Sequence, residues 1–91
     1  MISYEPLWKT MKERGISKYQ LIFHYGISSN KLRRIGHGEP INSNTLNELC
    51  LILDCKVSDI MEFIATEDEL IAINQRKEEI SNFRNRKKSK K

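Results

Sequence analysis

The chain has 91 residues, 38% of them hydrophobic and 31% charged, with a net charge of +4. That is the length of one domain with a small core, and the balance of apolar and charged residues is that of a folded chain rather than a disordered one. No apolar run approaches the ~20 residues of a membrane span, "MISYEPLWKT" lacks the pattern of a secretory leader, and two cysteines are too few for a disulfide framework, so cytoplasmic residence without a membrane partner is expected.

The charge is unevenly spread. Residues 9–38 carry a net +6, residues 39–65 a net −4 and residues 66–91 a net +3. A basic half backed by an acidic one creates a directional field suited to docking one face on a polyanion.

Five helical segments and no strand are predicted. In "YEPLWKTMKERG" Leu7 and Met11 lie four apart, Pro6 is tolerable in a first turn and Gly15 is a stop. "ISKYQLIFHYG" opens on Ser17 as N-cap with Gln20 three residues on, the capping-box pattern, and closes at Gly26. "ISSNKLRRIG" starts from Ser28 as N-cap. Ile16 and Leu21 bracket Ser17 as Ile27 and Leu32 bracket Ser28, two hydrophobic staples that fix the angle at which chain enters helix. A short glycine-containing turn between two brief amphipathic helices is the helix-turn-helix signature.

The fourth helix lies in "NSNTLNELCLILD", with Leu46, Leu49, Cys50 and Leu53 on one stripe. The linker "GHGEPIN" reads as a loop because two glycines and a proline forbid regular structure. The fifth helix is short, "VSDIMEFI", with Val57, Ile60 and Phe63 or Ile64 inward. Beyond it, "TEDELIAINQRKEEI" is compatible with a helix carrying Leu70, Ile73 and Ile80 on one side, interrupted by Lys77, and "NFRNRKKSKK" reads as a disordered basic tail. The expected organisation is a unit over 1–65 and a basic extension over 66–91.

The third helix carries the chemistry. Wound at about 100° per residue, it puts Leu32 and Ile35 on an inner face, Asn30 and Arg34 opposite, Arg33 and Lys31 on the flanks and Ser29 at the exposed N-terminal rim. Arginine forks to guanine O6 and N7, asparagine to adenine N6 and N7, and lysine and serine serve bases or phosphates. The first-turn N–H groups also favour phosphate oxygens. The segment reads as a recognition helix for the major groove.

Residues 5–64, about two thirds of the chain, resemble the Cro/CI-type (XRE) helix-turn-helix domain. The resemblance is carried by "GISKYQLIFHYGISSNKLRRIGHGEP" and "TLNELCLILDCKVSDIMEF". It implies an all-α, compact five-helix lambda-repressor-like fold and sequence-specific binding of double-stranded DNA in transcriptional regulation. By position it implies base contacts from Ser29, Asn30 and Arg34, with Lys31 and Arg33 at more variable positions, a phosphate contact from His37, and for Lys18 a position that touches the backbone or supports base contacts. Together with the helix geometry, this assigns base reading to Ser29, Asn30, Arg33 and Arg34, and phosphate contact to Lys18, Ser28, Lys31 and His37. The chain departs from the family in having Ile22 where alanine is usual early in the second helix, and Gly36 is expected to end the third helix early.

A homodimer is the expected DNA-binding form, without cofactor, metal or small-molecule ligand. His24, His37, Cys50 and Cys55 have no metal-ligand spacing, and Cys50 lies on an apolar stripe. No cysteine–histidine or serine–histidine pairing suggests an oriented base, so no enzyme is expected. The rival reading is a protein-interaction module on the same fold, an antitoxin-like or anti-repressor subunit. Attachment of the basic tail to a membrane surface lacks an apolar face to insert.

Overall fold

The computed structural model describes residues 1–89, with side chains described through Arg84. Five α-helices occur among them: α1 (Glu5–Arg14), α2 (Lys18–Phe23), α3 (Ser29–Gly36), α4 (Ser43–Leu53) and α5 (Glu67–Ser89). A 3-10 turn spans Val57–Asp59, and two short strands, β1 (Ile2–Ser3) and β2 (Glu62–Phe63), pair antiparallel. The fold is all-α in class, with this two-stranded ribbon as its only sheet among the described residues.

Local chemistry sets the first four helices. α1 has Pro6 in its first turn and ends where Gly15, at φ 69°, donates its N–H to the carbonyls of Lys12 and Met11. In α2 the Gln20 N–H donates to Ser17 Oγ at 3.1 Å and the Ser17 N–H donates to Gln20 Oε1 at 2.8 Å, a complete capping box. Ser28 caps α3 by accepting from the Asn30 N–H, and Asn42 caps α4 by accepting from the Thr45 N–H.

The apolar stripes of these elements meet in one core. Leu7 from α1, Leu21 from α2, Ile35 from α3, Leu49 and Leu53 from α4 and Ile60 after the 3-10 turn are fully buried, each burial stabilising by about 1.5–3 kcal/mol. Ile27 and Leu32 belong to the same cluster, and Ile16 and Leu46 pack at its margin. Ile22 is accommodated there too, half-buried.

Polar ties hold the connection after α4 to α1. Thr10 Oγ1, buried, donates to the Asp59 carbonyl at 2.7 Å, and Arg14 Nη2 donates to the Asp54 carbonyl at 3.1 Å. Asp54 itself ends α4 in a left-handed conformation, φ 49°.

Three expectations are corrected. The segment "VSDIMEFI" is not an α-helix. Its first residues form a single 3-10 turn, closed by the Lys56 N–H donating to Asp59 Oδ2. The chain then extends, because Glu62 and Phe63 pair with Ser3 and Ile2, and the Ile64 N–H donates to the Met1 carbonyl. Of the residues expected inward only Ile60 is buried, whereas Val57, Phe63 and Ile64 are exposed. The expectation of no strand falls with it, since β1 and β2 pair. Gly36 is the last residue of α3. His37 is the C-cap, and the left-handed break comes at Gly38, φ 75°.

The third correction concerns the tail. α5 continues through Ser89, so residues 82–89 are helical, and only the last two residues of the expected disordered tail lie outside the described residues. Its start is capped by Thr66, whose Oγ accepts from the Glu69 N–H at 3.2 Å while the Thr66 N–H donates to Glu69 Oε1 at 3.3 Å. Glu69 Oε1 also accepts from the Met1 ammonium at 2.7 Å. Hydrogen bonds from that ammonium and from Thr66 hold the Glu69 carboxyl below its ordinary range. Its contribution to the cap is therefore present at neutral pH and lost as pH falls through that lowered value.

The left-handed residue after α4 makes a direct test. Asp54→Gly removes the Cβ penalty at φ 49° while adding unfolded-chain entropy, and the first effect is the larger. It is expected to raise stability by on the order of 0.5 kcal/mol, read as a higher urea midpoint at unchanged slope.

Candidate nucleic-acid interface

α3 is held against the core by a narrow edge. Leu32 and Ile35 are buried, while Ser29, Asn30, Arg33 and Arg34 are exposed. The turn from α2 takes residues 24–28, with Gly26 at φ 75°, and Ile27 buried directly before the Ser28 cap. The outer surface of α3 therefore presents an amide, two guanidiniums and a hydroxyl together, as its helical phase requires.

The residues assigned to phosphates are distributed around this surface. Ser28 is exposed at the N-terminus of α3, with its side chain engaged by the Asn30 N–H. His37 is exposed at the opposite end of the same helix. Lys31 is half-buried rather than fully exposed, because its flank of α3 turns toward the start of α4. With Arg34 it borders an open cleft completed by Pro40, Ile41, Asn42 and Thr45. Lys18 is exposed on α2, its Nζ 4.7 Å from the centroid of the Trp8 ring, within the range of a cation–π contact.

Other groups join the surface that the sequence reading did not single out. Lys12 and Lys18 line one cleft with Trp8, Met11, Ile16 and Gly36, so α1 brings a second ammonium toward the end of α3. The spacing of Trp8 and Lys12, one turn apart, was the available signal. The Asn42-capped start of α4 borders the cleft of Lys31 and Arg34, and a helix N-terminus favours anions. Tyr4 has a positioning part: its hydroxyl donates to the Glu39 carbonyl at 2.9 Å, tying the loop after His37 to the N-terminal segment.

The electrostatics reinforce the shape. Among the described residues the only ion pair joins the Met1 ammonium to Glu69, away from α3. Lys9, Lys12, Arg14, Lys18, Lys31, Arg33 and Arg34 thus form no ion pair with a carboxylate among the described residues. Arg14 alone of the arginines among them is engaged, through the Asp54 carbonyl.

Metal or nucleophilic chemistry finds no comparable arrangement. Among the described residues no group of three or more histidine, cysteine or acidic side chains is placed to hold a metal ion. Cys50 and Cys55 are free and half-buried. Burial, then the neighbouring Cys50 and Asp59, pushes the Cys55 thiol up, away from the thiolate that a nucleophile or metal ligand needs. No helix among the described residues is long and apolar enough to cross a membrane.

With this geometry in view, the sequence profile of the Cro/C1-type helix-turn-helix DNA-binding domain matches residues 6–66. The chain is similar to the crystal structure of the transcriptional regulator VanUg, with 29% identity and a TM-score of 0.65, over 71% of this chain and 87% of that one. No curated protein matches the chain.

The Tyr4 tie can be tested directly. Tyr4→Phe is expected to cost about 1 kcal/mol of stability and to speed amide hydrogen exchange across residues 36–39, leaving exchange in α4 near its original rate.

Proposed function

Because the chain belongs to the Cro/C1-type helix-turn-helix DNA-binding domain family, we propose that it recognises specific sequences in double-stranded DNA and regulates transcription by doing so. In this reading α3 enters the major groove. Ser29, Asn30, Arg33 and Arg34 read base edges, and Lys18, Ser28, Lys31 and His37 set the register on phosphates. Residues 1–65 form the DNA-binding unit and residues 66–91 an appended extension. Two copies bind half-sites about one helical turn, ~34 Å, apart. The chemistry is binding rather than catalysis.

One observation carries the reading. The buried edge of Leu32 and Ile35 holds α3 so that Asn30 and Arg34 project from a surface whose cations have no carboxylate partners among the described residues. Side chains able to fork to purine edges thus sit inside an uncompensated positive field. A guanidinium also forks to a carboxylate, so arginine alone would suit an acidic protein as well; it is the neutral amide of Asn30 beside Arg34 on one narrow helix, matched to adenine and guanine edges, that favours DNA.

Selection of bound duplexes from a random pool, followed by salt titration, tests it. A palindromic preference and a steep fall of log affinity with log salt are expected. Arg34→Ala is expected to lose preference at one base pair by roughly 5- to 160-fold, the equivalent of a bidentate contact worth about 1–3 kcal/mol. Lys18→Ala and His37→Ala should weaken all sequences alike. An Arg34→Ala protein with an unchanged binding profile overturns the groove assignment, and little duplex affinity at any salt concentration favours the protein-interaction reading.

A further inference from the structure

Cys50 and Cys55 take no part in the surface assigned to DNA, yet the fold sets them side by side. α4 ends at Leu53, Asp54 turns the chain back at φ 49°, and the Cys55 N–H donates to the Cys50 carbonyl at 3.1 Å. That is the closing bond of a Schellman-type cap, in which the side chains at the two bonded positions commonly touch. Here both side chains are thiols. They stand within hydrogen-bonding reach of one another, and both pack against the margin of the core.

Their surroundings narrow the chemistry. Each cysteine is half-buried, so a small reagent can reach the sulfurs while the cap bond and the core hold them together. A metal site is not completed, since among the described residues no group of three or more histidine, cysteine or acidic side chains is placed to hold an ion. What two adjoining thiols offer is a dithiol–disulfide couple. A disulfide needs sulfurs about 2.05 Å apart on Cβ atoms about 3.5–4.5 Å apart. Thiols already adjacent across a backbone hydrogen bond approach that geometry by rotating about their Cα–Cβ bonds.

We propose that Cys50 and Cys55 form a modification site, at which a low-molecular-weight disulfide oxidises the pair to an internal bridge across the end of α4. The Cys50 thiolate attacks one sulfur of the reagent and expels the first small thiolate, leaving a mixed disulfide. The Cys55 thiolate then attacks Cys50 Sγ and expels the second. The protons lost by the two cysteines pass to the two released thiolates, so one disulfide is reduced for each one formed. Cys55 sets the order. Burial, then the neighbouring Cys50 and Asp59, push its thiol up, which makes it the poorer first nucleophile. In the second step its proximity to Cys50 offsets that handicap.

The bridge encloses two residues that join α4 to the rest of the body. Leu53 is buried in the core, and the Asp54 carbonyl accepts from Arg14 Nη2 of α1. Oxidation therefore fastens this joint. The start of α4, which borders the cleft of Lys31 and Arg34, lies at the other end of an eleven-residue helix, so the bridge is independent of what α3 binds.

Equilibration of the full chain with oxidised and reduced glutathione, folded and in urea, tests the site. Bridge formation is expected to be at least tenfold more favourable in the folded chain. By linkage the same factor stabilises the fold, a tenfold gain being about 1.4 kcal/mol, and raises the thermal midpoint by roughly 5–10 °C. Proteolysis of the oxidised chain before Asp54 should leave the Cys50 and Cys55 fragments joined until a reductant is added. Cys55→Ala should stop at a mixed disulfide on Cys50, and should acquire it faster than Cys50→Ala acquires one on Cys55. A folded chain that takes up two glutathiones, or that bridges only between molecules, overturns the site. So does a bridge no more favourable in the folded chain than in urea, because the fold then does nothing to place the thiols. Equal or reversed rates in the two variants overturn the order of attack.

Discussion

Leu32 and Ile35 are the constraint on which the site depends. α3 has eight residues, too few to form a stable helix alone, and these two are its whole contribution to the core. Burying them does two things at once. It stabilises a helix that intrinsic propensity would not, and it fixes the rotation of that helix so that Asn30 and Arg34 stand outward. A helix with a broader apolar stripe would be better anchored but would lose outer positions to the core. Here the anchoring is supplemented from both ends, by Ile27 and the Ser28 cap before the helix and by the Gly38 break and Tyr4–Glu39 bond after it.

The same economy governs the rest of the body. Three long-range side-chain bonds within the body formed by α1–α4, Thr10 to Asp59, Arg14 to Asp54 and Tyr4 to Glu39, tie its connections together, and all three end at backbone carbonyls. Carboxylates are left out of these ties, so the cations of residues 9–38 keep their field. That field is strongest at low ionic strength and screened over ~8 Å under physiological conditions, so it acts at contact range. Stability comes from packed leucine and isoleucine, and charge is left available for a partner.

Much of this was legible because it is local. The Ser17–Gln20 box, the Ser28 cap, the Gly15 stop and the staple residues are separated by no more than five positions, and each appears where its spacing placed it. The phase of α3 followed from helical geometry alone. What escaped was non-local or interrupted. Ile2–Ser3 and Glu62–Phe63 find each other across some sixty residues, and no pattern within "VSDIMEFI" discloses that its end will be claimed by a strand partner. Lys31 is half-buried because α4 returns beside α3, a tertiary fact invisible on a helical wheel. α5 was in part readable, since Thr66 and Glu69 form a capping box that its sequence displays. Lys77 and the basic run obscured it, being the residues that a solvated tail would also contain. The base and phosphate roles within the site rest on chemistry and family position together, since spacing alone does not separate one from the other.

The contact between Lys18 and Trp8 has an optical consequence. Trp8 is the sole tryptophan, half-buried beside the basic surface, and the ammonium above its ring acts directly on the indole's excited state. A phosphate oxygen that draws Lys18 away, or sits beside it, alters the field across that ring. The chain therefore carries an intrinsic fluorophore beside the cation proposed to meet the backbone, so under that proposal a change in its emission on adding duplex is the expected mark of occupancy, with no added label.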